Sequence, residues 1–384
     1  MFNKNIFKIH YFDPSSITVI GKDRYTKDIV VYIDSEPLPH SHWLDHWDKI
    51  VESVDRKLSV NFKKNVNYII LCNTEDHHDL QNNLEKILKT FKGYKKVTIL
   101  NSCLYEKYGL EKTIKNVTIK FYPFCFMEHN LIKSERKVSV PLKEDFYDKK
   151  KLREKHYLTL NFRGKTHRAR LIKYLLDNEL FVKGLVSLNH VDSDERELKV
   201  QWGDGPEINL EGLLPFSVDY EMSDKLDDKI PHYENGERFF DPHSIEPYQN
   251  SYINIVNESW TIQDDWVFLT EKAIKPIMHF QPFIINGQRD SLSKLHKLGF
   301  KTFEPFIDES YDKIEEPGER LNAICEEIKR LCSLPIKEVH KNYYKLWDRL
   351  EYNYEHLYGE FWEKWFNEYM NCFEQRQLVS IFKD

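Results

Sequence analysis

Along the chain, short apolar runs alternate with amphipathic stretches, and a long tail of purely helical period follows. The runs at residues 6–12, 29–33, 68–72, 97–100 and 117–121 are rich in β-branched or aromatic residues and end at polar or turn residues, which predicts strands. Between the third and fourth, Leu80, Leu84, Ile87, Leu88 and Phe91 fall on one face of a helix spanning residues 79–91. Strands that alternate with helices predict a parallel sheet built of β-α-β units. The first domain is therefore expected over residues 1–132.

Residues 133–154 are dense in charge, contain Pro141 and read as a linker. A second alternation follows over residues 155–316. Strands are predicted at 157–161, 251–257, 282–286 and 300–303, with a strand end at 186–189. A helix at 168–181 turns Ala169, Ile172, Leu175 and Leu176 inward, and another at 291–298 is closed by Gly299. Residues 192–245 are polar and irregular and predict no element. From 317 to 384 the pattern is helical. Trp347, Leu350, Tyr354, Leu357, Phe361, Trp365 and Tyr369 recur at three- and four-residue spacing, as a core-packing stripe does. The fold class expected is α/β. Two Rossmann-like halves facing a cleft, with a helical C-terminal tail, form the GT-B architecture, and ligands there belong at the carboxyl ends of the strands.

Composition narrows the class. Of 384 residues, 41% are hydrophobic and 31% charged, as in globular proteins. No run of 18 apolar residues predicts a membrane span, and the N-terminus lacks an apolar signal core. The six cysteines form no Cys-x-x-Cys pair, which suits free thiols in a reducing cytoplasm. The net charge of −6 is unevenly spread. Residues 1–153 carry 27 Lys and Arg against 20 Asp and Glu, which leaves 29 against 42 for the rest. A basic first half suits an acidic partner, although eight of its positive charges fall between Lys133 and Arg153, in the expected linker.

Candidate chemistry gathers at three places. Thr270-Glu271-Lys272 stands between an apolar run and a short helix. A carboxylate there can accept from sugar hydroxyls, and a lysine with the free N–H groups of a helix end can hold phosphate. The loop from Asn161 to Arg168 carries Arg163, Lys165, His167 and Arg168 after a strand and before a helix, where a diphosphate sits in a Rossmann-like half. In the first half, Asp34 and Glu36 follow a buried strand. Either is a candidate general base, with Glu36 preferred. The histidines His40, His42 and His46 have none of the common zinc spacings, and Asp192-Ser-Asp194 lies in a polar loop with no apolar strand before it. No metal site is expected. Neither a Gly-x-Gly-x-x-Gly nor a P-loop pattern is present, so NAD and ATP chemistry lack support.

The segment from Trp266 to Asn286, with Asn257-Glu258-Ser259 upstream and the Asn161–Arg168 loop, resembles the donor-binding region of the α-1,3-fucosyltransferase-like glycosyltransferases, in their viral and bacterial branch. The resemblance covers roughly residues 157–315, with 192–245 as a gap. It implies Arg163 on the diphosphate, Glu271 on the ribose and Lys272 on phosphate; Asn257 and Glu258 match the family's segment before the Thr-Glu-Lys step, where Glu258 would approach the sugar. It also implies inversion at the anomeric carbon and a carboxylate base in the N-terminal half. The expected protein is a metal-independent glycosyltransferase of a bacterial or infected-cell cytoplasm, without a cofactor, acting from a nucleotide sugar onto a glycan or a hydroxymethylated base of viral DNA. A non-catalytic nucleotide-sugar or glycan binding module is the other reading.

Overall fold

The structure is a computed structural model. It describes residues 17–22, 29–34, 68–73, 96–105, 111–123, 125–127, 141–161, 163–188, 190–191, 245–262 and 266–372. The expected strand at 6–12, the helix at 79–91, Glu36, the histidines at 40, 42 and 46, and Asp192-Ser-Asp194 lie outside the described residues. The chain divides into two compact units. Unit 1 holds Met1–Arg136, Tyr233–Arg238 and Trp362–Asp384, and unit 2 holds Lys137–His232 and Phe239–Phe361.

Unit 1 contains β1 (Ile17–Lys22), β2 (Ile29–Asp34), β3 (Tyr68–Asn73), β4 (Lys96–Asn101), β5 (Cys103–Tyr105), β6 (Glu111–Ile114) and β7 (Val117–Phe121). Six of these form a sheet in the order β1-β2-β3-β4-β7-β6. The central four strands are parallel, and the edges β1 and β6 are antiparallel. The runs of β2 and β3 are nearly continuous in apolar residues, a sequence pattern typical of parallel sheets. In β7, Val117, Ile119 and Phe121 are all buried.

Unit 2 starts with β8 (Lys155–Thr159), β9 (Arg163–Gly164), α1 (Thr166–Asp177), β10 (Gly184–Val186) and β11 (His190–Val191). It continues with α2 (Glu246–Gln249), β12 (Ser251–Asn257), β13 (Trp266–Phe268), α3 (Glu271–Met278), β14 (Phe283–Asn286) and α4 (Ser291–Lys297). Four strands form a parallel sheet in the order β10-β8-β12-β14. This α/β arrangement is compatible with a Rossmann-like fold. The chain leaves β8 through α1 to β10 on one side, then returns to lay β12 on the other side of β8. The order therefore reverses between β8 and β12, and such a switch point opens a crevice at the carboxyl ends of the strands. All seven residues of β12 are buried.

Unit 2 also takes in α5 (Pro317–Ser333), α6 (Ile336–Lys345) and α7 (Trp347–Tyr358), while α8 (Glu360–Cys372) passes from unit 2 into unit 1. The stripe of the helical segment is core: Trp347, Leu350, Leu357, Phe361 and Trp365 are buried, and Tyr354 is half-buried. Trp347 stacks on Phe280 at 5.4 Å, and Phe280 stacks on Tyr354 at 4.5 Å.

From Pro141 on, the charged stretch read as a linker belongs to unit 2, with most of its charged side chains exposed. Phe146 is buried against His279 and Phe280. Arg153 is buried too. Its guanidinium donates to the carbonyls of Tyr248, Ser251 and Phe146 and to the Tyr343 hydroxyl, and it lies 4.2 Å from the Tyr343 ring centroid. Arg153 is the one charged residue of the described part of this stretch that is buried, because carbonyls and a ring receive its charge.

The strand expected at 300–303 does not form. Asn353 of α7 accepts from the Lys301 N–H at 2.7 Å and donates to the Lys301 carbonyl at 2.8 Å, doing with one side-chain amide what a neighbouring strand does. Gly299 closes α4 as expected, at φ +95. A Cβ there would also lie 2.5 Å from His356 Nε2.

Candidate functional site

Three strands of unit 2 end in polar residues after apolar runs: Thr159 and Asn161 at β8, Asn257 at β12 and Asn286 at β14. All four are buried. Asn257 Nδ2 donates to Thr159 Oγ1 and to Asn161 Oδ1, each at 3.0 Å, and Asn286 Nδ2 donates to Asn257 Oδ1 at 2.7 Å. The carboxyl edge of the sheet is thus tied together by side-chain amides.

Glu258 follows Asn257 and is fully buried. Its N–H donates to the Asn286 carbonyl at 3.0 Å. Its carboxylate accepts from the Thr270 N–H at 3.0 Å, the Thr270 hydroxyl at 2.6 Å and the Ser259 N–H at 3.3 Å. Thr270 is the N-cap of α3, and its hydroxyl also accepts from the Lys272 N–H at 3.3 Å. One threonine therefore joins the end of β12 to the start of α3.

Lys272 continues this chain. Its Nζ donates to Thr270 Oγ1 at 3.2 Å and to Glu271 Oε1 at 2.6 Å. The Lys272 side chain keeps 26% of its surface and that of Glu271 keeps 11%, so the cation is the more open of the two. Burial pushes the Glu258 carboxyl up from its ordinary value, against the pull of Lys272 and the Thr270 hydroxyl. Burial also pushes Glu271 up, but Lys272 and Lys275 more than reverse it and hold that carboxyl low. Lys275 is lowered by burial, against the attraction of Glu271. Two neighbouring carboxyls are driven in opposite directions because only Glu271 touches a cation.

The basic loop divides into two parts. His167 Nε2 lies 2.9 Å from the Glu258 carbonyl, and Arg168 Nη2 donates to the carbonyls of Asn257 and Glu258, each at 3.2 Å. Both residues are buried in the first turn of α1 and hold the end of β12 in place. Lys165 donates to the Ser259 carbonyl at 3.1 Å and lies 4.9 Å from the centroid of the half-buried Trp260 ring. Arg163 sits in β9, paired in register with His190 of β11. The segment after Glu258 is pinned as well: Gln288 donates to the carbonyls of Ile262 and Trp266, and buried Arg320 donates to those of Thr261 and Gly287.

The structure thus brings Asn257, Glu258, Thr270, Glu271, Lys272, Lys165, His167 and Arg168 to one edge of one sheet. Asp34 ends β2, opposite Cys72 of β3 in the sheet of unit 1. Among the described residues, no group of three or more His, Cys, Asp or Glu is placed to hold a metal ion, and no helix is long and apolar enough to cross a membrane. Cys325 and Cys332 are buried free thiols.

Sequence reading passed over Asn161 and Asn286 as members of the site. A signal existed: successive apolar strands each end in asparagine, which is otherwise rare in strands. No protein-family model, curated protein or solved structure matches this chain.

Proposed function

We propose that unit 2 is the donor half of a metal-independent, inverting glycosyltransferase, which binds the diphosphate of a nucleotide sugar at the start of α3. The observation that supports it is the Glu258–Thr270–Lys272–Glu271 chain at the carboxyl edge of the sheet. The start of α3 carries the positive end of a helix dipole, and Lys272 adds a part-open ammonium. As the glycosidic bond breaks, negative charge grows on the leaving diphosphate, and fixed donors there lower the barrier. Glu271, held low and therefore ionised, is suited to accept from ribose hydroxyls. Arg163 is assigned to the diphosphate on the resemblance alone. His167 and Arg168 keep the strand end in position, so the charge work passes to Lys272 and Arg163.

On this reading the two units form the GT-B pair, and unit 1 supplies the base that deprotonates the acceptor hydroxyl of a glycan or a hydroxymethylated DNA base. Glu36→Gln is expected to lower kcat while leaving donor affinity within about twofold, the pattern of a residue that acts only in the transition state. Full activity in that variant removes Glu36 from the role.

The direct test is a thermal-shift screen against UDP, GDP, CMP, dTDP and their sugar conjugates. A ligand that binds the folded state raises the melting temperature by mass action. One nucleotide is expected to raise it, and Lys272→Ala to abolish the shift and lower turnover by on the order of 100-fold. A shift that survives Lys272→Ala sends the anion elsewhere.

A further inference from the structure

The amide chain at the sheet edge has a direction, and a backbone atom sets it. The Ser187 carbonyl can only accept. Asn161 therefore turns Nδ2 toward it, at 3.1 Å, and presents Oδ1 to Asn257. Asn257 answers with Nδ2, so its Oδ1 faces Asn286, which donates through Nδ2 at 2.7 Å. Flipping any one amide would set oxygen against oxygen or N–H against N–H. The chain thus runs one way, from the carbonyl after β10 across β8 and β12 to β14. It ends on Asn286 with Oδ1 and one side-chain N–H that no described residue engages. Asn286 is 2% exposed. Its Oδ1 is not among the sealed polar atoms that lack a partner, so it keeps access to solvent, and aligned amides polarise one another, which makes this terminal oxygen a strengthened acceptor.

We propose that Asn286 reads a hydroxyl group of a sugar ring bound at the switch point. An acceptor beside a donor complements a hydroxyl, which donates and accepts at once. Phosphate oxygens only accept, so they would engage the free N–H and leave the amide oxygen unpaired. The place fits the same choice. The Asn286 carbonyl accepts from the Glu258 N–H, and the Glu258 carboxylate holds Thr270 at the head of α3. An anion at α3 and a hydroxyl at Asn286 then belong to neighbouring parts of one ligand. The assignment rests on reading the start of α3 as the anion site, and it adds the residue that distinguishes the sugar from the phosphate.

The test is a calorimetric cycle on the full chain. Wild type, Asn286→Ala and Lys272→Ala are titrated with UDP, GDP and dTDP, with their hexose conjugates, and with conjugates deoxygenated at successive ring positions. Asn286→Ala is expected to weaken the conjugate on the order of 10-fold and to leave the free nucleoside diphosphate within about twofold. In wild type, one deoxygenated conjugate should show the same loss, and Asn286→Ala should bind it no worse than its parent. The comparison between ligands needs only the wild-type fold, so a poorly folding variant does not block it. If every deoxygenated conjugate binds wild type like its parent, or if Asn286→Ala weakens nucleotide and conjugate equally, the proposal is overturned. Methyl glycosides separate the two readings. Glycoside binding that depends on Asn286, without nucleoside diphosphate binding, keeps the hydroxyl site and removes the anion site. Binding of neither removes both.

Discussion

At the scale of single residues, the site turns on the Thr270 hydroxyl. It donates to a buried carboxylate and accepts from the N–H and the ammonium of the same lysine. Replacing it with valine keeps the shape and leaves Glu258 without its shortest hydrogen bond. Thr270→Val is expected to destabilise the fold by about 1–3 kcal/mol, the penalty for stranding a buried polar group, and Thr270→Ser to restore most of it. Urea unfolding of both variants measures this, and a neutral Thr270→Val would mean that the carboxylate finds another donor. The Thr-Glu-Lys step was legible in the sequence because its residue types are chemically telling. The division of labour inside it was not. Glu258, read as a group near the sugar, is fully buried and, among the described residues, accepts from backbone and threonine donors. His167 and Arg168, read as donor-binding residues, also reach backbone carbonyls. Nothing in a residue's type says whether its charge will meet a ligand or the main chain.

At the scale of elements, α4 shows how a cap can come from far along the chain. Asp290, before the helix, has φ 65 and caps nothing with its side chain, while the Asp312 carboxylate accepts from the Leu292 and Ser293 N–H groups at 2.9 and 3.2 Å. On the same helix, buried Lys294 is pushed down to about 8 by burial and by Lys297 and Lys313, against the attraction of Asp312. A lysine lowered in the folded state adds stability as pH rises from that value toward the ordinary lysine range near about 10, and that stability is lost as pH falls through it. Lys294→Met is therefore expected to raise Tm at pH 7 relative to wild type, with the advantage shrinking as the pH climbs past about 8. Melts across that interval check it, and an advantage independent of pH would assign the gain to packing. The strand lost at 300–303 teaches a similar lesson. Its residues have strand character, but the Asn353 amide reaches Lys301 first.

At the scale of the whole molecule, the aromatic stripe of the helical segment serves two units. Trp347 and Phe361 are buried in unit 2, and Trp365 in unit 1 stands edge-on to Phe121 at 5.4 Å and to Tyr122 at 6.1 Å. Trp365→Ala removes a large buried ring and is expected to destabilise unit 1 by about 3–5 kcal/mol. Denaturant unfolding should then show an early transition, with nucleotide binding persisting beyond it. Binding lost together with that first transition would mean that unit 2 does not stand alone.

The sequence by itself marked the segments 29–33, 68–72, 97–100, 117–121 and 251–257 as strands of parallel sheets, because they are short, rich in β-branched or aromatic residues and bounded by polar or turn residues. It also determined that α3 begins at Thr270, because a hydroxyl at the N-cap satisfies a helix donor locally. The tertiary structure decided the rest. Strand order, and with it the switch point between β8 and β12, depends on which runs pair across many intervening residues. The direction of the amide chain depends on Ser187, 99 positions before the Asn286 that it orients. Hydrogen bonds of that reach exist only once the sheet has assembled, since neither local propensity nor periodicity brings their ends together.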